Sequence, residues 1–335
     1  MTDVERVDPA DDRALADWYA VSAAVVAADQ PDDPLPCPVD HAGRLRFPFP
    51  GEDEEVWLAR AGGVVVGGMR VGWTRFDNLD TASADIAVAP AHRGRGHGRV
   101  LGAALLDLVR AEGRHRVMGE VHELLAGEPT AGARFAAAMG ARRALRETRR
   151  RLRLADVPEA TYDALLADAR RHAAGYTVLQ WVGPAPEEHL ADMAGLAARM
   201  STDAPMEDLD WEPEVFDAER VRGRDASCVA RGMRRYTTAV RHEKSGALVG
   251  FTTLTCFATL DWYADQWETI VAPEHRGHRL GTLIKVANLR WTRAGEPALS
   301  VVDTWNAESN RPMVAVNEAM GFRPLDRWAE WQLDL

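Results

Sequence analysis

The sequence predicts an α+β protein of two tandem domains, each a mixed, largely antiparallel twisted sheet flanked by helices. Three observations carry this. The chain has 335 residues, about twice the usual length of one domain. A seven-position pattern, V-A-P-x-H-R-G, occurs twice, in IAVAPAHRGRGHG (86–98) and in TIVAPEHRGHRLG (269–281). Its prolines, Pro90 and Pro273, are 183 residues apart, too long a period for a solenoid and suited to a duplicated domain. Each copy also lies between an apolar strand-like run and a helical pattern.

The elements follow in matching order. The first half offers a helix-like stretch around residues 12–28, then VWLARAGGVVVGGMRVGW (56–73), two strands turning at Gly62 and Gly63. After the first motif, Val100, Leu101, Ala104, Leu105, Leu108 and Val109 keep a helical period. RVMGEV (116–121) reads as a strand, and a short helix stops at Gly140. Residues 158–175 form a connecting helix, opened by Pro158 and ended by Gly175. In the second half, YTVLQWV (176–182) is a strand and residues 186–200 a helix. A hairpin over 234–257 turns at Ser245 and Gly246. Leu280, Leu283, Ile284, Ala287 and Trp291 then form a helical face, followed by strand ALSVVD (298–303) and a helix stopping at Gly321. The expected domains are residues 1–155 and 176–335, joined by a connecting helix at 156–175.

Composition narrows the function. A net charge of −11 opposes nucleic acid and anionic membranes, so any bound anion needs a local device. Hydrophobic residues at 46% and charged residues at 27% suit a globular protein. No apolar run approaches a membrane span, and the acidic start, MTDVERVDPADD, lacks the order of a signal peptide. Three widely spaced cysteines, Cys37, Cys228 and Cys256, suit a reduced, cytoplasmic setting. No histidine spacing suggests a metal site. The basic stretch 141–154 reads as a solvated hairpin closing the first domain, and the acidic stretch 201–217 equally as a loop able to attract a cationic amine or as an exposed acidic loop with a helix N-cap.

A strand, a tight Arg/Gly turn and a helix together present unpaired N–H groups at a helix N-terminus, a ready phosphate site. Arg93, His92 and Arg95 add positive charge in one copy; Arg276, His275, His278 and Arg279 do so in the other. Neither copy has the Lys-Ser or Lys-Thr of a Walker loop or the spacing of a dinucleotide fingerprint.

These residues resemble the acetyl-CoA loop of the GCN5-related N-acetyltransferases, whose R-x-x-G-x-G appears in full as Arg93, Gly96 and Gly98. The second copy keeps Arg276 and Gly281 but carries Arg279 at the inner glycine. The stretch TWNAESNRPMVAVNEAMGF (304–322) is similar to the family's last segment through Asn306, Asn310, Asn317, Gly321 and Phe322. The resemblance spans nearly the whole chain as two copies. It implies acetyl-CoA as cosubstrate without a metal, its phosphates on Arg93, Gly94, Arg95, Gly96, His97 and Gly98, or on Arg276, Gly277, His278, Arg279, Leu280 and Gly281. Its pantetheine would lie along Val88 and Ala89, or Ile270 and Val271, with Asn306 and Asn310 near the second site. An amine would attack the thioester directly, a proton passing to Asp85 or Glu268, five residues before each proline, with Asp265 and Asp303 in reserve. The family's usual tyrosine acid is replaced by Asn317 and Ala136, which leaves water, or another group such as Tyr263, to protonate the leaving thiolate. The expected activity is acetyl transfer to a primary amine of a small molecule, chemistry favoured in the C-terminal half, by a monomer or homodimer. The rival readings are a non-catalytic acyl-CoA sensor and a protein or peptide acetyltransferase.

Overall fold

A computed structural model describes residues 2–203 and 206–335, so Ala204 and Pro205 of the acidic stretch lie outside the described residues. The chain groups into two compact units. One comprises Met1–Leu145, Glu207–Glu212 and Trp328–Leu335, the other Arg146–Met206 and Pro213–Arg327.

In the first unit, β1 (Thr2–Arg6) is followed by α1 (Asp12–Asp29), α2 (Pro38–Arg46), β2 (Glu52–Ala61), β3 (Val64–Thr74), β4 (Thr81–Val88), α3 (His97–Ala111), β5 (Arg116–Glu123) and α4 (Ala131–Ala138). The strands stand in the order β1-β2-β3-β4-β5, antiparallel except for β4 beside β5. Gly62 and Gly63 both take positive φ, +58° and +78°, as a two-residue hairpin turn of the right twist demands. Alternation along β2 sends Val56 and Leu58 towards Leu15, Trp18 and Leu45 of α1 and α2. It sends Trp57 and Ala59 to the opposite face, with Met69, Leu101 and Leu105. Asp11 caps α1 by accepting from the Arg13 and Ala14 amides.

The second unit holds most of β6 (Arg142–Arg153), then α5 (Glu159–His172), β7 (Tyr176–Val182), α6 (Leu190–Ala198), α7 (Met200–Asp203) and α8 (Ala218–Ala230). After these come β8 (Arg234–His242), β9 (Leu248–Phe257), β10 (Leu260–Val271), α9 (Leu280–Gly295), β11 (Val301–Ala307), α10 (Arg311–Met320) and the first half of β12 (Arg323–Asp334). Its strand order is β6-β11-β10-β9-β8-β7, with β10 and β11 parallel. The helix expected between the halves is α5, which packs with this unit's core through Tyr162, Leu166 and Ala169. Among the described residues no helix is long and apolar enough to cross a membrane.

The basic stretch 141–154 departs from expectation. It is a strand rather than a solvated hairpin, and Arg149, Arg150 and Arg151 are only 3%, 6% and 5% exposed. Glu147–Arg153 pair with Ala307–Val301 of β11. Arg151 donates to both oxygens of Asp303, at 2.7 and 2.6 Å, and Arg149 donates to Asp326 at 2.8 Å. Acids distant in sequence neutralise the run, which no local reading reveals. Tyr263 donates to the same Asp303 at 3.0 Å, and burial, with Asp265 and Asp303 nearby, pushes its hydroxyl well above the usual range. Asp303→Asn leaves Arg151 buried without its carboxylate, while Arg149 keeps Asp326, so unfolding in urea should show a loss of about 3–5 kcal/mol.

Lys285 on α9 is 1% exposed, with its ammonium 5.8 Å from the Phe322 ring. Burial lowers its pKa to about 7. The unfolded chain therefore holds more protons between pH 7 and the ordinary lysine range. Stability from this group should rise with pH there, by up to about 1.4 kcal/mol per pH unit. Lys285→Met should flatten that rise in denaturation curves measured from pH 7 to 9.

Candidate functional site

Each unit contains a parallel strand pair that separates soon after it begins. β4 pairs with β5 only over Thr81–Ser83 and Arg116–Met118. β10 pairs with β11 only over Tyr263–Asp265 and Val301–Asp303. Beyond these residues β4 and β10 still pair with their antiparallel neighbours, up to Val88 and Val271. One edge of each strand is thus left towards a wedge that another extended chain can fill.

The repeated motif closes the wide end of each wedge. Gly94 and Gly96 have φ of +74° and +89°, which aims the loop's amides past the start of α3. First-turn amides have no acceptor within a helix. A Cβ added at Gly94 would meet no atom within 4 Å, so the loop is open to an incoming group. Arg93 is a brace: its Nε donates to the Val88 carbonyl at 3.1 Å and its two terminal nitrogens to Asp29 at 2.7 Å. Arg95 stands exposed at the loop's tip, and His97 pairs with Thr2 at 3.0 Å. The second loop repeats the brace, with Arg276 on the Val271 carbonyl at 3.0 Å and on Asp203 at 2.7 Å. Gly277 takes φ +87°, and Arg279 occupies the left-handed region at φ +53° where the first copy has glycine. The Arg279 side chain is drawn to Asp168 of α5, and His278 reaches the His172 carbonyl at 3.3 Å. Leu280 and Gly281 open α9. Asp29 and Asp203, which hold both loops, carry no motif and escaped the sequence reading.

The other side of β4 carries charge. Asp85 accepts from Arg70 Nε at 2.9 Å; Arg70 also donates to Glu54 at 2.9 Å, and Arg44 to Glu54 at 3.1 Å. Burial opposes the Arg70 charge, but Asp85 and Glu54 outweigh it and hold its pKa above normal. His41, hydrogen-bonded to Ser22 at 3.1 Å, is lowered to about 4 by burial and by Arg44, so it is neutral at pH 7. These groups line a cavity of about 290 Å³ with Trp18 and Ile86. A second cavity, about 240 Å³, lies on the wedge side beneath α3 and α4. Asp85, Ile86 and Gln30 border both.

The second unit uses other residues for a similar balance. Glu268 accepts from Arg224, with Arg235 at 3.7 Å; Arg235 donates to Asp225 at 2.5 Å. Burial favours the protonated Glu268, but the two arginines outweigh it and hold its pKa below the usual carboxylate range. The cavity it borders is about 20 Å³. The Glu268 side chain is 13% exposed, against 43% for Asp85. Asn317 donates to Asn306 at 2.6 Å, and Asn310 begins α10 without a side-chain cap bond. Asp225, Arg224, Arg235, Arg70 and Glu54 were not found from sequence, because each acts through a partner on another element.

Comparison with known proteins agrees with this geometry. The family described as Acetyltransferase (GNAT) family matches residues 18–126. A mycothiol acetyltransferase of Streptomyces coelicolor is 28% identical over 293 residues, 85% of this chain and 82% of that protein. One from Streptomyces avermitilis is 46% identical over 70 residues, 20% of this chain and 22% of that protein. A solved tandem GNAT protein from the clavulanic acid biosynthesis pathway is 34% identical, with TM-score 0.84, covering 100% of this chain and 98% of that one. A GCN5-related N-acetyltransferase from Sphaerobacter thermophilus shares the fold at TM-score 0.63 and 16% identity, over 99% and 95% of the two chains. The chain belongs to the GCN5-related N-acetyltransferase family in its tandem form, and is an acyltransferase of that family.

Two glycine substitutions separate the loops. Gly96→Val forces a β-branched residue to φ +89°, a cost of about 1–2 kcal/mol, and should weaken acetyl-CoA binding at the first loop roughly tenfold in titration calorimetry. Gly281 has ordinary φ and open space around its Cβ direction, so Gly281→Ala should leave affinity within about twofold.

Proposed function

We propose that this protein moves an acetyl group from acetyl-CoA to a primary amine of a small molecule, and that the first unit carries the chemistry. The sequence reading favours the C-terminal half, through its asparagine-rich segment. Cavity geometry favours the other unit. The observation that carries the proposal is the meeting of two cavities at Asp85 and Ile86 of the splayed β4, one for the donor arm and one for the acceptor. The corresponding space at Glu268 is under a tenth as large. The complete R-x-x-G-x-G and the family match over residues 18–126 lie in the same unit.

The glycine turns of the first loop leave room for a pyrophosphate against main-chain amides, and the free edge of β4 suits a pantetheine arm. Bound there, the thioester supplies an acyl carbon: the acceptor nitrogen forms the C–N bond, the C–S bond breaks, and the thiolate takes a proton from water. Asp85 accepts the nitrogen's proton, directly or through one water. Arg70 and Glu54 hold that carboxylate at the boundary of the two cavities. Neutral His41 adds no positive charge beside an incoming ammonium. Ala136, at the position of the family's tyrosine, leaves no side-chain acid there, and this supports water in that role. The relatives named for acetyl transfer to mycothiol support a small-molecule acceptor. The buried thiols Cys37, Cys228 and Cys256 suit a reduced cytoplasm.

Asp85→Asn keeps the shape and removes the proton acceptor. Turnover of an amine panel should fall about 10²–10⁴-fold, most strongly near neutral pH where the amine is protonated. Glu268→Gln should leave turnover within a few-fold in preparations whose thermal melts show them folded. Unchanged turnover in Asp85→Asn with a large loss in Glu268→Gln would return the chemistry to the second unit.

A further inference from the structure

We infer that the donor cavity of the first unit accepts an apolar acyl group longer than acetyl. The inference rests on that unit being the acyl-CoA site. An extended arm along β4 needs only the strand's free edge near residues 85–88, beyond the point where Gly119 lies close against the Ala84 carbonyl. The cavity continues well past it, beneath α4 and across β5, to Trp331 and Leu333 of the chain's last strand. Leu105, Val117, Phe135 and Met139 form much of the intervening wall.

The space follows from small residues. The stop glycines Gly140 and Gly321 align α4 with α10, which sets Gly132, Ala136 and Ala141 against Met313, Asn317 and Phe322. The parallel registers, Thr81 with Arg116 and Ala264 with Val302, set Gly119 against Trp305. Val117 likewise stands against Asp303, the carboxylate held by Arg151. At each position the first unit has the smaller side chain, the apolar one, or both.

α4 also lacks the cover its composition calls for. All its residues except Arg134 are alanine, glycine or phenylalanine, yet Ala133 alone among them is buried. Phe135 and Met139 remain partly exposed above the cavity. An acyl chain would bury this face, gaining about the transfer energy of its own methylenes. Because Asp85 and Ile86 border both cavities, the thioester carbon would sit there with its chain running away from the acceptor. The transfer is otherwise that for acetyl: the C–N bond forms as C–S breaks, Asp85 or water takes the nitrogen's proton, and the thiolate is protonated by water.

The test titrates the full-length protein with CoA and with acetyl-, butanoyl-, hexanoyl- and octanoyl-CoA. The signal assigned to the first unit is the component that Gly96→Val weakens. Affinity in that component should rise about three- to fourfold per added methylene, up to six or eight carbons. Ala136→Phe should lower the hexanoyl-to-acetyl affinity ratio at least tenfold, and Ala136→Leu by less, in variants whose melts match the parent's. Equal affinity for acetyl- and hexanoyl-CoA, or a ratio indifferent to both variants, overturns the inference and leaves the site assignment standing. No component sensitive to Gly96→Val overturns the site assignment as well.

Discussion

Everything proposed for this protein depends on a strand pairing that stops early. β4 and β5 share three register positions and then part, as do β10 and β11. Backbone amides and carbonyls at such an edge need partners, and an extended ligand can supply them. The neighbouring antiparallel pairs continue to Val88 and Val271, so the wedge has one rigid wall. The Arg93 and Arg276 braces tie the end of that wall to the glycine loop. Strand edge and helix terminus are therefore positioned by the same few residues.

The two units keep this scaffold and differ in what fills it. The first places two arginines and two carboxylates around a cavity of about 290 Å³. The second sets Arg224, Arg235, Asp225 and Glu268 around about 20 Å³. Its wedge side carries Trp305, Asn317 and the Asp303 network in place of glycine, alanine and valine. Buried ion pairs contribute little net stability when complete and cost much when broken.

The sequence made the repeated strand–loop–helix legible, because V-A-P-x-H-R-G depends on local turn chemistry. The Gly62–Gly63 hairpin and the stops at Gly140 and Gly321 were readable for the same reason. The fate of residues 146–153 was not. An arginine-rich strand looks solvated until Asp303 and Asp326 are known to face it, and they lie more than 150 residues away. The first unit ends at Leu145 and includes Trp328–Leu335, whereas the sequence suggested domains at 1–155 and 176–335 joined by a helix at 156–175. Candidate bases were found at Asp85 and Glu268, but their arginine partners, their exposure and the cavities beside them depend on tertiary contacts. Exposure and cavity size, the properties that separate the two carboxylates, have no signature in a single sequence.

A crystal structure of the full chain with bound CoA addresses the central claim most directly. The account predicts pantetheine density between β4 and β5, with the pyrophosphate on the amides of residues 94–98 and the sulfur beside Asp85 and Ile86. Density for CoA between β10 and β11 alone, with the first wedge empty, would contradict it.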